Sequence, residues 1–375
     1  MQIEQGPIRP PSEASSLLIR ITRNCPWNKC AFCKTYKRKQ FSRRTMEEIL
    51  QDIDTIAKIV EQLQKYSWDK GLGGKIDGAM VNDVGSVYGF LYYHVAQWLY
   101  TDSKNVFLQD ANSILLKTED LVKIIKYLRQ ALPMVERITT YARANTVARK
   151  SLEELQQLNE AGLIRIHMGM ESGSDVVLKM IQKGISPQQL IDSAQKARAA
   201  GISLCMYVMP GLGGKQYSRE HALGTAEVIN AGNPDFMRFR TTSVLKNTAL
   251  YDMMERGEFI PLEEDEIVQE QRLIVESLNG INTTIVSDHI LNLLQELEGR
   301  LPDDKEKMLN IIDRYLTLPA DKKANYQLGR RAGFYSSLDD MNSQNRFLYV
   351  ESMRMKLKTP EEFNRELLRL RTQYM

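Results

Sequence analysis

The stretch RITTYARANTVARKSLEELQQLNEAGLIRIHM, residues 137–168, carries the pattern that decides the fold. Arg137–Tyr141 is a short β-prone run. Ser151 with Glu154 is a capping box that opens a helix, Gly162 stops that helix, and Leu163–Met168 is a second β-prone run. A strand, a capped helix and a strand joined by short connections predict parallel strands with a right-handed crossover.

The same unit repeats on both sides. Val106–Leu108 reads as a strand, and Thr118 starts a helix ending near Leu132. Ser186-Pro187 with Gln189 opens a helix closed by Gly201, and Leu204–Met209 is the next strand. A helix from about Ser218 to Ala231 then leads to a strand at Phe236–Thr241. Adding Leu17–Ile21 gives about six β/α units. Six is short of a closed eightfold barrel. The predicted class is α/β, a partial (β/α)6 TIM-like barrel, and periodicity alone leaves a doubly wound open sheet as the alternative.

Residues 1–254 are read as this core. The capping box Thr45…Glu48 opens a helix to about Gln64. Residues 66–105, broken by Gly71, Gly73, Gly74 and Gly78, are read as an insertion. Beyond about residue 255 strands are expected to stop. Residues 262–278, 288–317 and 360–372 read as mainly helical, so 255–375 is taken as a helical C-terminal region.

The 375 residues are 43% hydrophobic and 26% charged, an ordinary globular composition. Fifty basic residues against 47 acidic leave a net charge of +3, too balanced to argue alone for nucleic acid. No apolar run approaches the ~20 residues of a membrane span, and the first residues lack an apolar signal core. A cytoplasmic protein with no membrane partner is the expectation.

Three of the four cysteines fall within nine residues, in Cys25-Pro-Trp-Asn-Lys-Cys30-Ala-Phe-Cys33, directly after the first predicted strand. Loops at strand C-termini carry the chemistry of parallel β/α folds. Three soft thiolates on one loop can hold three irons of a 4Fe–4S cubane and leave the fourth iron open to a small molecule. The alternatives are a structural zinc site, which wants four ligands, and cysteines that ligate nothing. Cys205 is distant, inside a predicted strand, and His94 is also remote.

At these residues the chain resembles the radical S-adenosylmethionine (SAM) superfamily. That family usually spaces its cysteines C-x3-C-x2-C with an aromatic residue before the third. Here Phe32 matches, while the first gap is one residue longer. His167-Met-Gly-Met-Glu-Ser-Gly-Ser174, with Val177 to Gly184, looks like the fourth β/α unit of one branch. That branch contains coproporphyrinogen dehydrogenase, the tRNA methylthiotransferases and the elongator catalytic subunit. Gly201-Ile and Val208-Met-Pro-Gly211-Leu-Gly-Gly214 look like its fifth unit.

The resemblance implies metal ligation by Cys25, Cys30 and Cys33. It also implies SAM contacts from Glu171 and Ser172, and a cation at Lys183 for the SAM carboxylate. Glycines such as Gly211 and Gly213 would lie against the adenine. Where relatives carry a Gly-Gly-Glu-like stretch, this chain has Gln109-Asp110-Ala111-Asn112, so Asp110 and Asn112 are candidate substitutes, as is Arg143 after the third strand of the pattern. For Asp110, Asn112 and Arg143 a plain turn role stands open beside the binding one.

The chemistry so implied is reductive cleavage of SAM at the cluster to a 5′-deoxyadenosyl radical, for hydrogen abstraction from an unidentified substrate. A small molecule is favoured over tRNA, and the electron donor would be a protein such as flavodoxin or ferredoxin. The competing class is a non-catalytic iron–sulfur or zinc scaffold, or RNA-binding module, on a β/α barrel. His167 and Cys205 are read first as core residues, with a hydrogen donor or substrate anchor as the other reading of Cys205. The basic residues between Lys34 and Arg44 are read first as a solvated face, with an acidic substrate, a reducing partner or RNA as the other readings. Neither the substrate nor the oligomeric state is legible.

Overall fold

A computed structural model describes residues 2–372. The chain forms two compact units. The first holds the residues up to Asn28, Thr35–Gly169 and Asp192–Leu204; the second holds Lys29–Lys34, Met170–Ile191 and the residues from Cys205 onward.

The first unit begins with a single 3₁₀ turn, Pro11–Glu13, and then β1 (Leu17–Arg20), β2 (Thr22–Arg23) and β3 (Ser42–Arg43). α1 (Met46–Asp69) follows its capping box, with Thr45 accepting from the Glu48 N–H and Glu48 from the Thr45 N–H. It buries Ile49, Ile53, Ile56, Val60 and Leu63, an i, i+4, i+7 stripe, and so runs on past the expected end at Gln64. Each fully buried aliphatic side chain of that stripe contributes about 1.5–3 kcal/mol.

The insertion is a helical hairpin, α2 (Gly78–Tyr88) and α3 (Phe90–Tyr100), turning at Gly89 with φ of 85°. Then come β4 (Asn105–Gln109), α4 (Thr118–Ala131), β5 (Arg137–Ala142), α5 (Ala144–Arg149), α6 (Leu152–Ala161) and β6 (Leu163–Glu171). β1 pairs with β4, β4 with β5, and β5 with β6, all parallel and in chain order. His167 on β6 is buried, edge-on to Phe107 and Tyr141, with Nε2 3.3 Å from Glu13 of the 3₁₀ turn. It is the core histidine expected.

The chain continues through α7 (Asp175–Met180), α8 (Pro187–Ala199), β7 (Ser203–Val208), α9 (Gly214–Gly232), β8 (Phe236–Phe239), α10 (Ala249–Glu255) and α11 (Glu264–Ser277). β9 (Thr284–Val286), β10 (Gly299–Arg300), α12 (Lys305–Leu316), α13 (Ala320–Arg331), α14 (Gln344–Arg354) and α15 (Pro360–Thr372) complete it. In the second unit β7 pairs with β8 and β8 with β9, both parallel. β10 runs antiparallel to β9.

The α/β class is as expected. The six parallel strands β1 and β4 to β8, with helical connections, make the (β/α)6 set of a partial barrel, β9 adds a seventh parallel strand, and a mainly helical C-terminal region follows.

Two details differ from the sequence reading. Strands do not stop at residue 255, because the β-branched run Thr284-Ile-Val286 extends the ladder beside Phe236–Arg238. Residues 288–304 are a loop and a short strand rather than helix. Asn292, fully buried, holds that loop: its amide donates to the Phe239 and Ser287 carbonyls, and its oxygen accepts from the Thr241 N–H. Among the described residues no helix is long and apolar enough to cross a membrane.

Candidate functional site

The cysteine loop springs from a backbone clasp. β2 and β3 pair antiparallel, Thr22 with Arg43 and Arg23 with Ser42. Within the first unit, Asn24 and Asn28 adopt φ of 66° and 48°, the left-handed region that asparagine tolerates better than most residues. Their side-chain amides brace the loop, Asn24 donating to the Gln40 carbonyl and Asn28 to the Tyr36 carbonyl, each at 2.6 Å.

Asp110 is fully buried. Its carboxylate accepts from the Arg20 guanidinium at 2.7 Å, the Asn24 N–H at 3.1 Å and the Tyr36 hydroxyl. Asn112 is also buried. It accepts from the Arg143 N–H at 3.0 Å and donates to Thr146 Oγ1 at 2.8 Å, which fastens the start of α5. The Arg143 guanidinium lies 5.1 Å from the centre of the Trp27 ring, a cation–π contact with a residue of the cysteine loop.

In the second unit, Ala31 is pinned on both sides. Its N–H donates to the Ile181 carbonyl at 2.8 Å and its carbonyl accepts from the Leu250 N–H at 3.0 Å. The Cys33 N–H donates to the Cys30 carbonyl at 3.2 Å, which makes the C-x2-C step a tight turn. Phe32 packs against a buried cluster that includes Val177, Ile181, Leu212 and Phe259. The Lys183 ammonium stands 6.0 Å from the centre of the Phe32 ring and 2.8 Å from Glu171 Oε1. Glu171 ends β6 with φ of 67°. Phe32, Glu171 and Lys183 are therefore brought together.

Ser172 is fully buried, its Oγ 2.8 Å from His221 Nδ1 and accepting from the Ser174 N–H at 3.0 Å. Next to it the backbones of Gly173 and Gly224 touch; a Cβ on Gly173 would lie 2.1 Å from the Gly224 carbonyl oxygen.

The glycine turn after β7 rests on a buried acid. Gly211, with φ of 84°, donates its N–H to Glu270 Oε1 at 2.6 Å, and the Ser218 hydroxyl donates to Oε2 at 2.6 Å. Burial pushes the Glu270 carboxyl up to about 7, against the two hydrogen bonds that favour its charge. His221 Nε2 lies 3.6 Å from the same carboxyl. Burial holds that imidazole down at about 4, so at neutral pH the contact is not an ion pair.

Gly211 also lines a cavity of about 540 Å³ together with Lys34, Thr242, Ser243, Tyr251 and Arg371. Gly213 serves its own helix, since a Cβ there would meet the Tyr217 carbonyl oxygen at 2.6 Å. The sequence reading passed over Arg20, Tyr36, Ser218 and Glu270.

Comparison with known proteins adds a family. Residues 96–225 match the model of the Radical SAM superfamily. That segment of the chain is similar to a radical SAM domain. The matched segment runs from within α3 into α9. It contains Glu171, Lys183 and Gly211, and the cysteine loop precedes it.

Among curated proteins the chain is 29% identical over 123 residues to the tRNA uridine(34) acetyltransferase of Methanocaldococcus infernus, covering 32% of this chain and 22% of that protein. It is 25% identical over 168 residues to the heme chaperone HemW of Bacillus subtilis, covering 44% of each. The chain thus spans less than half the length of these curated relatives. Coproporphyrinogen III oxidase (HemN) from Escherichia coli, a radical SAM enzyme, superposes with a TM-score of 0.45 at 16% identity over 70% of this chain and 52% of that one.

The match to the Radical SAM superfamily model implies a 4Fe–4S cluster and SAM. The cysteine loop fits such a cluster in its donors. Cys25, Cys30 and Cys33 are free of disulfides, with Cys25 and Cys33 half-buried and Cys30 buried. Thiolate is the ligand type of such clusters. Cys205, by contrast, is buried on β7 as the core residue expected.

Proposed function

We propose that the chain is a radical SAM enzyme, with Cys25, Cys30 and Cys33 as the three protein ligands of one 4Fe–4S cluster. The observation that carries this reading is the group formed by Phe32, Lys183 and Glu171. It joins the residue before Cys33 to two polar side chains of the radical SAM domain, through a ring contact of 6.0 Å and an ion pair of 2.8 Å. When bound, the cluster and SAM supply one-electron reductive cleavage of the sulfonium.

The chain's own part is to bind, orient and shield. Lys183 offers the cation for the SAM carboxylate, and Glu171, already its partner, holds the ammonium in place. Gly211 offers a nucleoside a stretch of wall without a side chain, beside a cavity of about 540 Å³ that Lys34, directly after Cys33, also lines. Drug-sized ligands occupy pockets of roughly 300–1,000 Å³. Arg143 covers the Trp27 face of the loop. A small-molecule substrate is favoured. tRNA stands second, on the name of the M. infernus relative, and a flavodoxin- or ferredoxin-like donor in the cytoplasm would complete the reaction.

Anaerobic reconstitution with iron and sulfide, followed by dithionite and SAM, tests this. Wild type is expected to release 5′-deoxyadenosine and Cys30→Ala none. A wild-type protein that binds colourless zinc and forms no cluster refutes the proposal.

A further inference from the structure

We infer that Asp110 is a positioning residue that ties both stems of the cysteine loop together, with Tyr36 as its partner on the far stem. The inference rests on the reading of that loop as the cluster's seat. Asn24 directly precedes Cys25, and Tyr36 stands three residues after Cys33. One oxygen of Asp110 accepts the Asn24 N–H at 3.1 Å and the Arg20 guanidinium at 2.7 Å; the other accepts the Tyr36 hydroxyl. A single buried carboxylate therefore spans the loop, beside the two-residue strand pair and the Asn24 and Asn28 amides that also join its ends.

The surroundings fix the clamp. Asp110 has no exposed surface, and the N-terminal arm lies over it: a Cβ on Gly6 would stand 3.1 Å from the carboxyl group. The arm is held there by the Gly6 N–H, which donates to Gln109 Oε1 at 2.8 Å, and by Gln109 Nε2, which donates to the Ile8 carbonyl at 2.9 Å. Arg20 is itself steadied by Glu4 at 2.8 Å. The Tyr36 phenol remains protonated and hence a donor, because burial and the Asp110 carboxylate raise its pKa.

A carboxylate can accept on both oxygens, whereas an amide accepts on one only. Residues that orient metal ligands through hydrogen bonds change metal affinity about 10–100-fold when removed.

The primary variant is Tyr36→Phe, which removes one hydrogen bond and leaves the Arg20–Asp110 pair intact. Its control is Tyr127→Phe, which removes a phenol–carboxylate bond of 2.6 Å to Asp54, between α4 and α1 and away from the loop. Reconstituted proteins would be challenged with an iron chelator, and reduced samples compared by electron paramagnetic resonance. Tyr36→Phe is expected to release iron about tenfold faster with an altered spectrum, and Tyr127→Phe to match wild type. Asp110→Asn should exceed Tyr36→Phe where it folds.

In the iron-free protein, amide hydrogen exchange at Asn24 should also quicken in Tyr36→Phe. This readout stands even if the cluster assignment fails. Unchanged Asn24 exchange overturns the clamp, as does iron release in Tyr36→Phe no faster than in Tyr127→Phe. Wild type that takes up no cluster overturns the proposed function instead.

Discussion

Replacing Glu270 by glutamine should make the protein more stable at alkaline pH than the natural chain. Glu270 is buried, and its carboxyl is pushed from an ordinary 4.5 up to about 7 by desolvation. An acid whose pKa rises on folding binds its proton more tightly in the folded state. Its contribution to stability is complete below pH 4.5 and is lost as pH climbs through 7. A shift from 4.5 to about 7 at about 1.4 kcal/mol per unit gives a cost on the order of 3 kcal/mol above pH 8.

Glutamine carries no such cost. Its oxygen can accept the Gly211 N–H, and its amide can donate to Ser218, whose hydroxyl is only half-buried and can turn to water. Urea midpoints for Glu270→Gln and wild type across the pH range would be read as their difference. His94 and His289, each held down at about 4 by burial and away from Glu270 in sequence and contact, then cancel. Those histidines act the other way, removing stability as pH falls below their ordinary 6.5.

The variant should gain on wild type steadily between about pH 4.5 and 7.5 and then level off. A flat difference, or one in which wild type gains as pH rises, would refute the reasoning. It would mean that the bonds from Gly211 and Ser218 outweigh the burial of the charge.

Gly173→Ala should cost about 3 kcal/mol or more in urea unfolding, because its Cβ would sit 2.1 Å from the Gly224 carbonyl oxygen and backbone must move; a cost below about 1 kcal/mol would show that the contact relaxes freely. On the proposed function, Lys183→Gln should raise the Kd for SAM about tenfold in the cluster-loaded protein by equilibrium dialysis, equivalent to about 1.4 kcal/mol; an unchanged Kd would leave Lys183 merely as the partner of Glu171.

The strands and helices of the core were legible because each unit carries its own local signals. Thr45 and Ser151 cap as read, Gly162 ends its helix with φ of 125°, and the apolar runs became β1 and β4 to β8. The helical hairpin at 78–100 was obscured by its glycines, although Asp77 caps α2 as an N-cap aspartate should. β9 and the loop after it could not be read locally. Thr284–Val286 becomes a strand only because β8 offers an edge, and Asn292 stops a helix by reaching three backbone groups near the ends of β8 and β9.

The site divides along the same line. Cysteines, and an aromatic residue at a fixed offset, are visible as types. Their supports are ordinary residues that matter through partners far away in sequence. Tyr36 meets Asp110 across 74 residues, Arg20 meets it across 90, and Gly211 meets Glu270 across 59. Asp110 was singled out as a polar residue at a strand end, yet a strand end places a carboxylate equally well toward a ligand or beneath the neighbouring loop. What separates the two is whether donors already fill its oxygens. Arg20, Asn24 and Tyr36 fill them here, and that depends on the register of β1 against β4, where Arg20 stands opposite Gln109. A slip of one residue would turn Arg20 to the other face of the sheet. The role of Asp110 is thus written in strand register, which no spacing within the segment 105–115 encodes.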